Sequence, residues 1–597
     1  MRAQGEPVVN EYVFGPVIRD DGVLFRLWAP RCDTVSLELE GTATREMERQ
    51  PDGQFHLLVP EAKPGMRYRF HLPDGLIVPD PASRHQPEDV FGPSELVDLS
   101  HYRRPDPIWQ GRPWADMVIY ELHVGTFTEE GTFRAVIEKL DHLAGLGITA
   151  IQLMPIADFP GRRNWGYDGV LPYAPDSAYG RPDDLVALVE AAHQRGISVF
   201  LDVVYNHFGP SGNFMAAYAP LFSPHHQTPW GDGVNFDDEQ SEMVRAFLIE
   251  NALYWLEEYR IDGLRLDAVH AIRDDSEPHF LDELAMRVRQ RLGDRHIHLI
   301  VENEENNPRL LERSGSDAPL FNAQWNDDIH HALHVATSGE TFGYYGDYEE
   351  AGPALARALA EGFVFQGQVM SFSGETRGQP SSHIPPVAFI SFLHNHDQIG
   401  NRANGDRIMA TLPEAALAFA AAIVLLSPQI PMLFMGEEWC SQRPFPYFCD
   451  FDEELNAAVR KGRRQELSKL PGFDGEHVLD PTSEETFRSG ILDWEAATST
   501  PGTTWIDRYR QLITLRRERV APLLPLMDQG GRYVLDGAAI RVEWPLNDGR
   551  SYILVANPTD GAVETHMESD LVDVVYAQGE HKSDGLGPWS LVFGIKQ

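Results

Sequence analysis

The sequence predicts a multidomain α/β protein with a central (β/α)8 barrel of the TIM type, an immunoglobulin-like β-sandwich before it and a small antiparallel β domain after it. Three observations predict this. Between residues 114 and 524, eight strand-like apolar runs alternate with amphipathic helical stretches, the order that builds a parallel barrel sheathed in helices. Residues 1–100 carry short apolar runs cut by turn signals at sandwich-like spacing. Beyond Pro525, short strand-like runs return with no helical pattern between them.

Taken in order, the first unit, 1–100, has the runs Val23–Trp28 and Val35–Leu39 and the turns Pro51-Asp52-Gly53, Pro64-Gly65 and Pro73-Asp74-Gly75. A polar, Pro-rich linker is expected at 101–113. The barrel unit, 114–524, offers strands at Val118–Leu122, Ile148–Met154, Ile197–Val203, Gly263–Asp267, Ile297–Glu302, Pro319–Trp325, Val387–Leu393 and Pro431–Met435. Helical patterns lie between them at Phe133–Leu146, Asp183–Arg195, Met243–Tyr259 and Pro413–Leu426, with Asn306-Asn307-Pro308 opening another and Trp505–Arg519 closing the unit. The last unit, 525–597, has strand-like segments at Tyr533–Leu535, Ile540–Trp544 and Tyr552–Val555.

Composition narrows the chemistry. Ninety acidic against 50 basic side chains give a formal net charge of −40 at pH 7, a field of the wrong sign for nucleic acid or an anionic membrane. A neutral small-molecule ligand fits better. Three cysteines, Cys32, Cys440 and Cys449, cannot form a disulfide framework and match no zinc spacing, which points to a reducing compartment. The opening residues MRAQGEPVVN carry no apolar signal region, and the long apolar run Ala415–Met435 is broken by Ser427, Pro428, Gln429 and Pro431. A cytoplasmic protein with no membrane span is expected.

Catalytic groups of such barrels sit where strands end at the C-terminal face. Here the third strand runs into Asp202 to His207, the fourth ends in Arg265-Leu266-Asp267, the fifth in Glu302, and the seventh runs into His394-Asn395-His396-Asp397. A lone acid at a strand end is ordinarily a helix cap or an ion-pair partner; four such ends on one mouth are not explained by caps. Paired carboxylates are the machinery of glycoside hydrolysis. Arg265 lies two residues before Asp267, so the two share a face and the cation favours an ionised carboxylate. Glu302 follows the apolar Leu299-Ile300-Val301, a drier setting suited to a general acid. Asp397 is placed to hold sugar hydroxyls and a cationic transition state. Glu304, two residues after Glu302, remains a rival by parity, with Glu305 beside it.

The segments Asp202–His207 (DVVYNH), Gly263–His270 (GLRLDAVH), Leu299–Glu302 (LIVE) and Asn395–Asp397 (NHD) resemble, in order and on the matching strands, the four signature regions of the α-amylase family of retaining glycoside hydrolases and transglycosidases. The resemblance implies Asp267 as nucleophile, Glu302 as acid/base and Asp397 as transition-state stabiliser. It also implies Arg265 beside the nucleophile, Tyr167 stacked under the sugar before the cleaved bond, His207 and His396 on that sugar, and Asp202 bonded to Arg265. Asn206 is expected only to shape its loop.

Within that family, Tyr120–Thr128, Phe159–Asp168 and His396–Arg402 resemble the subgroup that cleaves the α-1,4 bond next to a terminal trehalose and releases trehalose from a malto-oligosaccharide. The segment Phe25–Pro30 looks like the front module of glycogen branching and debranching enzymes. Glu304 departs from the Asp more usual in the subgroup after the catalytic Glu. The alternatives are a glycogen branching enzyme or another α-1,4-glucan hydrolase or transferase, and a non-catalytic glucan-binding protein. No cofactor and no required metal are expected, because the acidic run Asp232–Glu242 reads as a solvated face or helix start rather than a calcium loop.

Overall fold

The computed structural model describes residues 12–100, 109–315, 317–468, 479–565, 571–582 and 584–597. Eight parallel strands close into a barrel: β1 Ile119–Leu122, β2 Ala150–Leu153, β3 Ser198–Val203, β4 Gly263–Leu266, β5 His298–Val301, β6 Ala323–Trp325, β7 Phe389–Phe392 and β8 Ile430–Phe434. β8 pairs back onto β1, with Ile119 opposite Met432. Each strand falls within one residue or a few of the run expected from the sequence. The reason is burial on both faces, which demands near-continuous apolar runs.

The lumen is a core of its own, built from Ile119, Ala150, Phe200, Ile300, Ala323, Trp325, Ile390, Phe392, Ile430 and Met432. The alternate residues, such as Leu122, Leu153, Leu201, Leu264 and Leu299, pack outward against the helices. This parity places every second side chain toward the axis.

The helical layer departs from the expected one at three points. Phe133–Leu146 is two helices, Phe133–Ile137 and Leu140–Leu146, broken at Glu138-Lys139. Among the described residues, the chain after β5 forms only a 3-10 turn, Pro308–Leu311, capped by Asn307, in place of a full helix. The closing helix begins at Thr500, because the Ser499 side chain accepts from the Gly502 N–H at 3.2 Å and Pro501 fits its first turn. That helix ends in a π turn, Arg516–Val520, where the buried Arg516 donates to the carbonyls of Leu425, Ser427 and Gln429 at 2.6 to 3.0 Å.

Two antiparallel sheets precede the barrel, built around Gly22–Trp28 with Gln54–Val59 and around Ser36–Leu39 with Arg67–His71. Phe25 and Tyr68 meet between them at 4.9 Å, edge to face. Residues 101–108 of the expected linker lie outside the described residues, whereas 109–113 are docked: Trp109 stacks on His193 and donates to Asp262 at 2.9 Å. The chain ends in a five-stranded antiparallel sheet in which Asp573–Gln578 and Leu591–Lys596 join the three expected strands. Its Trp544 donates to the Leu359 carbonyl at 3.1 Å and its Tyr552 to that of Leu426 at 3.0 Å, fixing the sheet to the barrel's outer helices. Among the described residues, no helix is long and apolar enough to cross a membrane.

Candidate active site

The lumen parity that puts Ile119, Phe200 and Ile300 on the barrel axis puts the residues two further along each strand on the same axis, one layer higher. Those residues are Glu121 on β1, Asp202 on β3 and, just past β5, Glu302. On β4 the same row continues from Gly263 to Arg265 and then Asp267. A polar layer therefore floors a cavity of about 1190 Å3, into which Asp267, Glu302 and Asp397 face with Tyr167, His207 and His396.

Arg265 organises this layer. Its Nη1 donates to Asp202 at 2.7 and 2.8 Å and to Asp267 Oδ1 at 2.9 Å, and its Nη2 donates to Glu302 Oε2 at 2.7 Å. The guanidinium is buried, and its Cζ lies 4.1 Å from the centroid of the Trp325 ring beneath it. Burial opposes its charge, but Asp202, Glu302 and Asp267 outweigh that cost and hold it firmly protonated.

Asp267 is fixed on its other side by Asn206, whose Nδ2 donates to Asp267 Oδ2 at 2.8 Å. Asn206 thus touches the carboxylate itself. The residue after Asp267, Ala268, sits in the left-handed region at φ 39°, a strained conformation costing an alanine on the order of 1 to 2 kcal/mol. That turn aims the Ala268 N–H at Glu302 Oε2, 2.9 Å away. Asp267 and Glu302 are therefore tied together twice, through the guanidinium and through this turn.

Glu304 does not share this position. β5 ends at Val301 and the chain turns at Glu304, so strand parity lapses; the Glu304 side chain is 69% exposed against 14% for Glu302. Its partner is His270 at 3.8 Å. Glu305 pairs with Arg273.

Asp397 stands on the first turn of a short helix, His396–Gly400. Asn395 caps it, accepting from the Asp397 N–H at 2.9 Å, while the Gln398 side chain accepts from the Asn395 N–H at 3.1 Å. Burial and the Glu302 carboxylate push Asp397 up, with His396, 3.5 Å away, pulling it down.

Tyr167 lies flat against His396, ring centroids 5.2 Å apart, and its hydroxyl donates to Asp202 at 2.8 Å. Gly166 makes this approach possible: at φ +104° a Cβ there would stand 2.1 Å from the Pro155 carbonyl oxygen. His207 bonds the Tyr167 carbonyl through Nε2 at 2.9 Å and Asn206 through Nδ1. Trp230, at the tip of a hairpin formed by Phe222–Thr228 and Gly231–Val234, stacks on His207 at 4.5 Å.

Glu121, Trp325 and Trp230 were missed as site residues by sequence reasoning. For Glu121 a signal existed, a charge two residues above Ile119 in an otherwise apolar strand. Trp230 reaches the site only through the hairpin's fold. One cluster outside the cavity has a metal-ligand composition: His226, Asp237 and Asp275 bring ligand atoms within 4.8 Å of one another. Their arrangement is accounted for by the protein itself, since Asp237 Oδ2 accepts from the Asp275 N–H and bonds His226 Nε2, each at 2.7 Å. Asp237 belongs to the run expected to be a solvated face or helix start; a helix does begin at Ser241, but Asp237 is a largely covered partner of His226.

Residues 108–220 match the profile of the alpha amylase catalytic domain. The chain is 42% identical over 511 residues to the malto-oligosyltrehalose trehalohydrolase of Saccharolobus solfataricus, covering 85% of this chain and 87% of that one. It is 43% identical to the enzyme of the same name from Deinococcus radiodurans, over 83% of this chain and 81% of the other. A crystal structure of a protein from Salmonella typhimurium assigned as an alpha amylase superposes with a TM-score of 0.93 at 44% identity, covering 98% of this chain and 99% of that one. The chain is a glycoside hydrolase and belongs to the malto-oligosyltrehalose trehalohydrolase family.

Proposed function

We propose that this enzyme hydrolyses the α-1,4 bond next to the terminal trehalose of maltooligosyltrehalose, releasing trehalose and a malto-oligosaccharide, with Asp267 as nucleophile, Glu302 as acid/base and Asp397 as transition-state stabiliser. The observation that carries the reading is the single guanidinium of Arg265 holding Asp267 at 2.9 Å and Glu302 at 2.7 Å on the floor of one cavity. Two carboxyl groups so close suit the separation of about 5 to 5.5 Å used in retention rather than the wider gap that leaves room for a water in inversion.

In the first step an Asp267 carboxylate oxygen attacks the anomeric carbon while the glycosidic oxygen leaves with the Glu302 proton. Trehalose departs as the neutral alcohol. In the second, Glu302, now a carboxylate, takes a proton from water as that water displaces Asp267, restoring both groups and the α configuration. Positive charge grows on the sugar in both transition states, facing Asp397. Tyr167, His207 and His396 line the sugar before the cleaved bond, Asp202 holds Arg265, and Asn206 orients Asp267.

The test is product analysis on two substrates. Maltotriosyltrehalose should yield trehalose and maltotriose far faster than maltopentaose is cut, and NMR of the new reducing end should show the α anomer first. Equal rates make the enzyme a general amylase, and an initial β anomer makes it inverting. New α-1,6 branches on amylose make it the transferase of the alternative reading. We assign residues 1–100, 114–524 and 525–597 to separate domains joined at 101–113, and the cytoplasm as the location, which suits the three unpaired thiols of Cys32, Cys440 and Cys449.

A further inference from the structure

We infer that Glu121 is a positioning residue that keeps His396 doubly protonated, so that an imidazolium stands beside Asp397 and anchors a chain of hydrogen bonds to the nucleophile. The inference rests on the roles proposed above for Asp397 and Asp267. It follows from counting protons along that chain. Glu121 Oε1 lies 2.7 Å from His396 Nδ1, and its Oε2 accepts from the His396 backbone N–H at 3.2 Å. A carboxylate only accepts, so Nδ1 carries a proton. His396 Nε2 lies 2.9 Å from the Tyr167 hydroxyl, whose one proton is given to Asp202. Burial pushes Asp202 up to about 7 while Arg265, which donates to both its oxygens, favours the carboxylate; once ionised, Asp202 has no proton to return. Tyr167 must then accept from His396, and Nε2 carries the second proton.

The groups facing His396 agree. Asp397 lies on its own helix; from β1 comes Glu121 and from just past its end His123, from the loop after β2 Trp165 and Tyr167, from β3 Asp202, from β4 Arg265 and from β6 Trp325. His123 is no competing cation, because burial pushes it down to about 4. Burial also opposes the His396 charge, but Asp397 and Glu121 outweigh it, together with the repulsion from Arg265, and hold the ring up to about 9. Both Glu121 and His396 are fully buried, so the pair is shielded from solvent and salt.

The consequence is a positive charge that counters the upward push of burial and Glu302 on Asp397 and so favours the ionised form that meets the transition state. The same ring holds Tyr167, and through it Asp202 and Arg265, in register with Asp267.

The experiment compares wild type, Glu121→Gln and Glu121→Asp in the full-length enzyme. Selective 15N-histidine labelling, with His396→Gln to assign the signal, reads the ring's protonation directly. His396 should remain imidazolium to about pH 9 in the wild type. In Glu121→Gln it should titrate about 1 to 3 pH units lower. The ratio of kcat/KM for trehalose release, Glu121→Gln over wild type, should fall roughly tenfold between pH 6 and pH 8 as the variant's imidazolium is lost. Glu121→Asp, which restores the charge, should recover most of the pH independence. A ratio that is low but flat with pH means Glu121 only packs, and overturns the inference; so does a wild-type His396 that titrates near 6.5. If Glu121→Gln fails to fold, the wild-type titration and Glu121→Asp decide. If the wild type releases no trehalose, the proposed function fails while the 15N titration still judges the role of Glu121.

Discussion

Asn206 Nδ2 donates to Asp267 twice, to its backbone carbonyl and to its Oδ2, each at 2.8 Å. Arg265 holds the opposite oxygen, so the carboxylate plane is fixed from both sides. Asn206→Ala removes a hydrogen bond to a charged group, worth about 1.5 to 3 kcal/mol. If that bond orients the nucleophile, kcat/KM for trehalose release falls by roughly 10- to 150-fold. Asn206→Asp would put a second anion against Asp267 and should be worse than the alanine. Wild-type kinetics in Asn206→Ala would confine the residue to shaping its loop.

The rival acids separate on exposure and partners. Glu302 is held by Arg265 Nη2 and the Ala268 N–H, whereas Glu304, at the rim of the same cavity, is largely exposed with His270 as its ion-pair partner at 3.8 Å. Glu302→Gln is expected to lower turnover by orders of magnitude, while Glu304→Gln retains most of it. Steady-state rates on maltotriosyltrehalose check this, and the reverse ranking transfers the acid role to Glu304.

The contrast between Glu302 and Glu304 also shows what the sequence can carry. The eight strands are legible because each is buried on both faces, and the gathering of Asp267, Glu302 and Asp397 is legible because strand ends converge on one rim. Parity fails once the backbone leaves the strand, and Glu304, two residues on, could be placed only by the turn. Loops are illegible for the same reason. Trp230 meets His207 across 23 residues of chain because a hairpin folds back, and no local period encodes that contact. The missing fifth helix and the break at Glu138-Lys139 are tertiary choices overriding acceptable helical sequence. Glu121 was within reach, since a carboxylate inside a buried apolar strand needs a partner, but the partner, His396, lies 275 residues away.

Asp158, buried beside Asp176, supplies a pH-dependent prediction. Burial first, then the Asp176 and Asp89 carboxylates, push Asp158 well above the ordinary range. The folded state therefore holds a proton that the unfolded chain gives up near pH 4. The Asp158 contribution to stability is full below that pH and declines as pH rises toward the folded value, each pH unit crossed costing about 1.4 kcal/mol. Asp158→Asn mimics the protonated acid. Its melting temperature relative to wild type should therefore rise between pH 5 and pH 8; a difference constant with pH shows that Asp158 is already ionised in the fold.

Trp230 is the aromatic at the cavity mouth whose removal should affect binding more than chemistry. Trp230 is 51% exposed and lines the cavity, with one ring face covered by His207 at 4.5 Å. A sugar laid on the open face covers apolar surface, and at about 25 cal/mol per Å2 the uncovered half of an indole is worth on the order of 1 to 2 kcal/mol. None of the proposed chemistry touches Trp230: the carboxylates are held by Arg265, Asn206 and the Ala268 N–H whether or not the hairpin tip is aromatic. Uniform binding of this kind raises KM and leaves kcat unchanged when lost. Trp230→Ala is thus expected to raise KM for maltotriosyltrehalose by roughly five- to thirtyfold with kcat within about twofold of wild type. Trp230→Phe should recover most of the affinity, because a smaller ring still offers a face. A variant with normal KM and depressed kcat would instead mean that Trp230 acts through His207 on the sugar being cleaved.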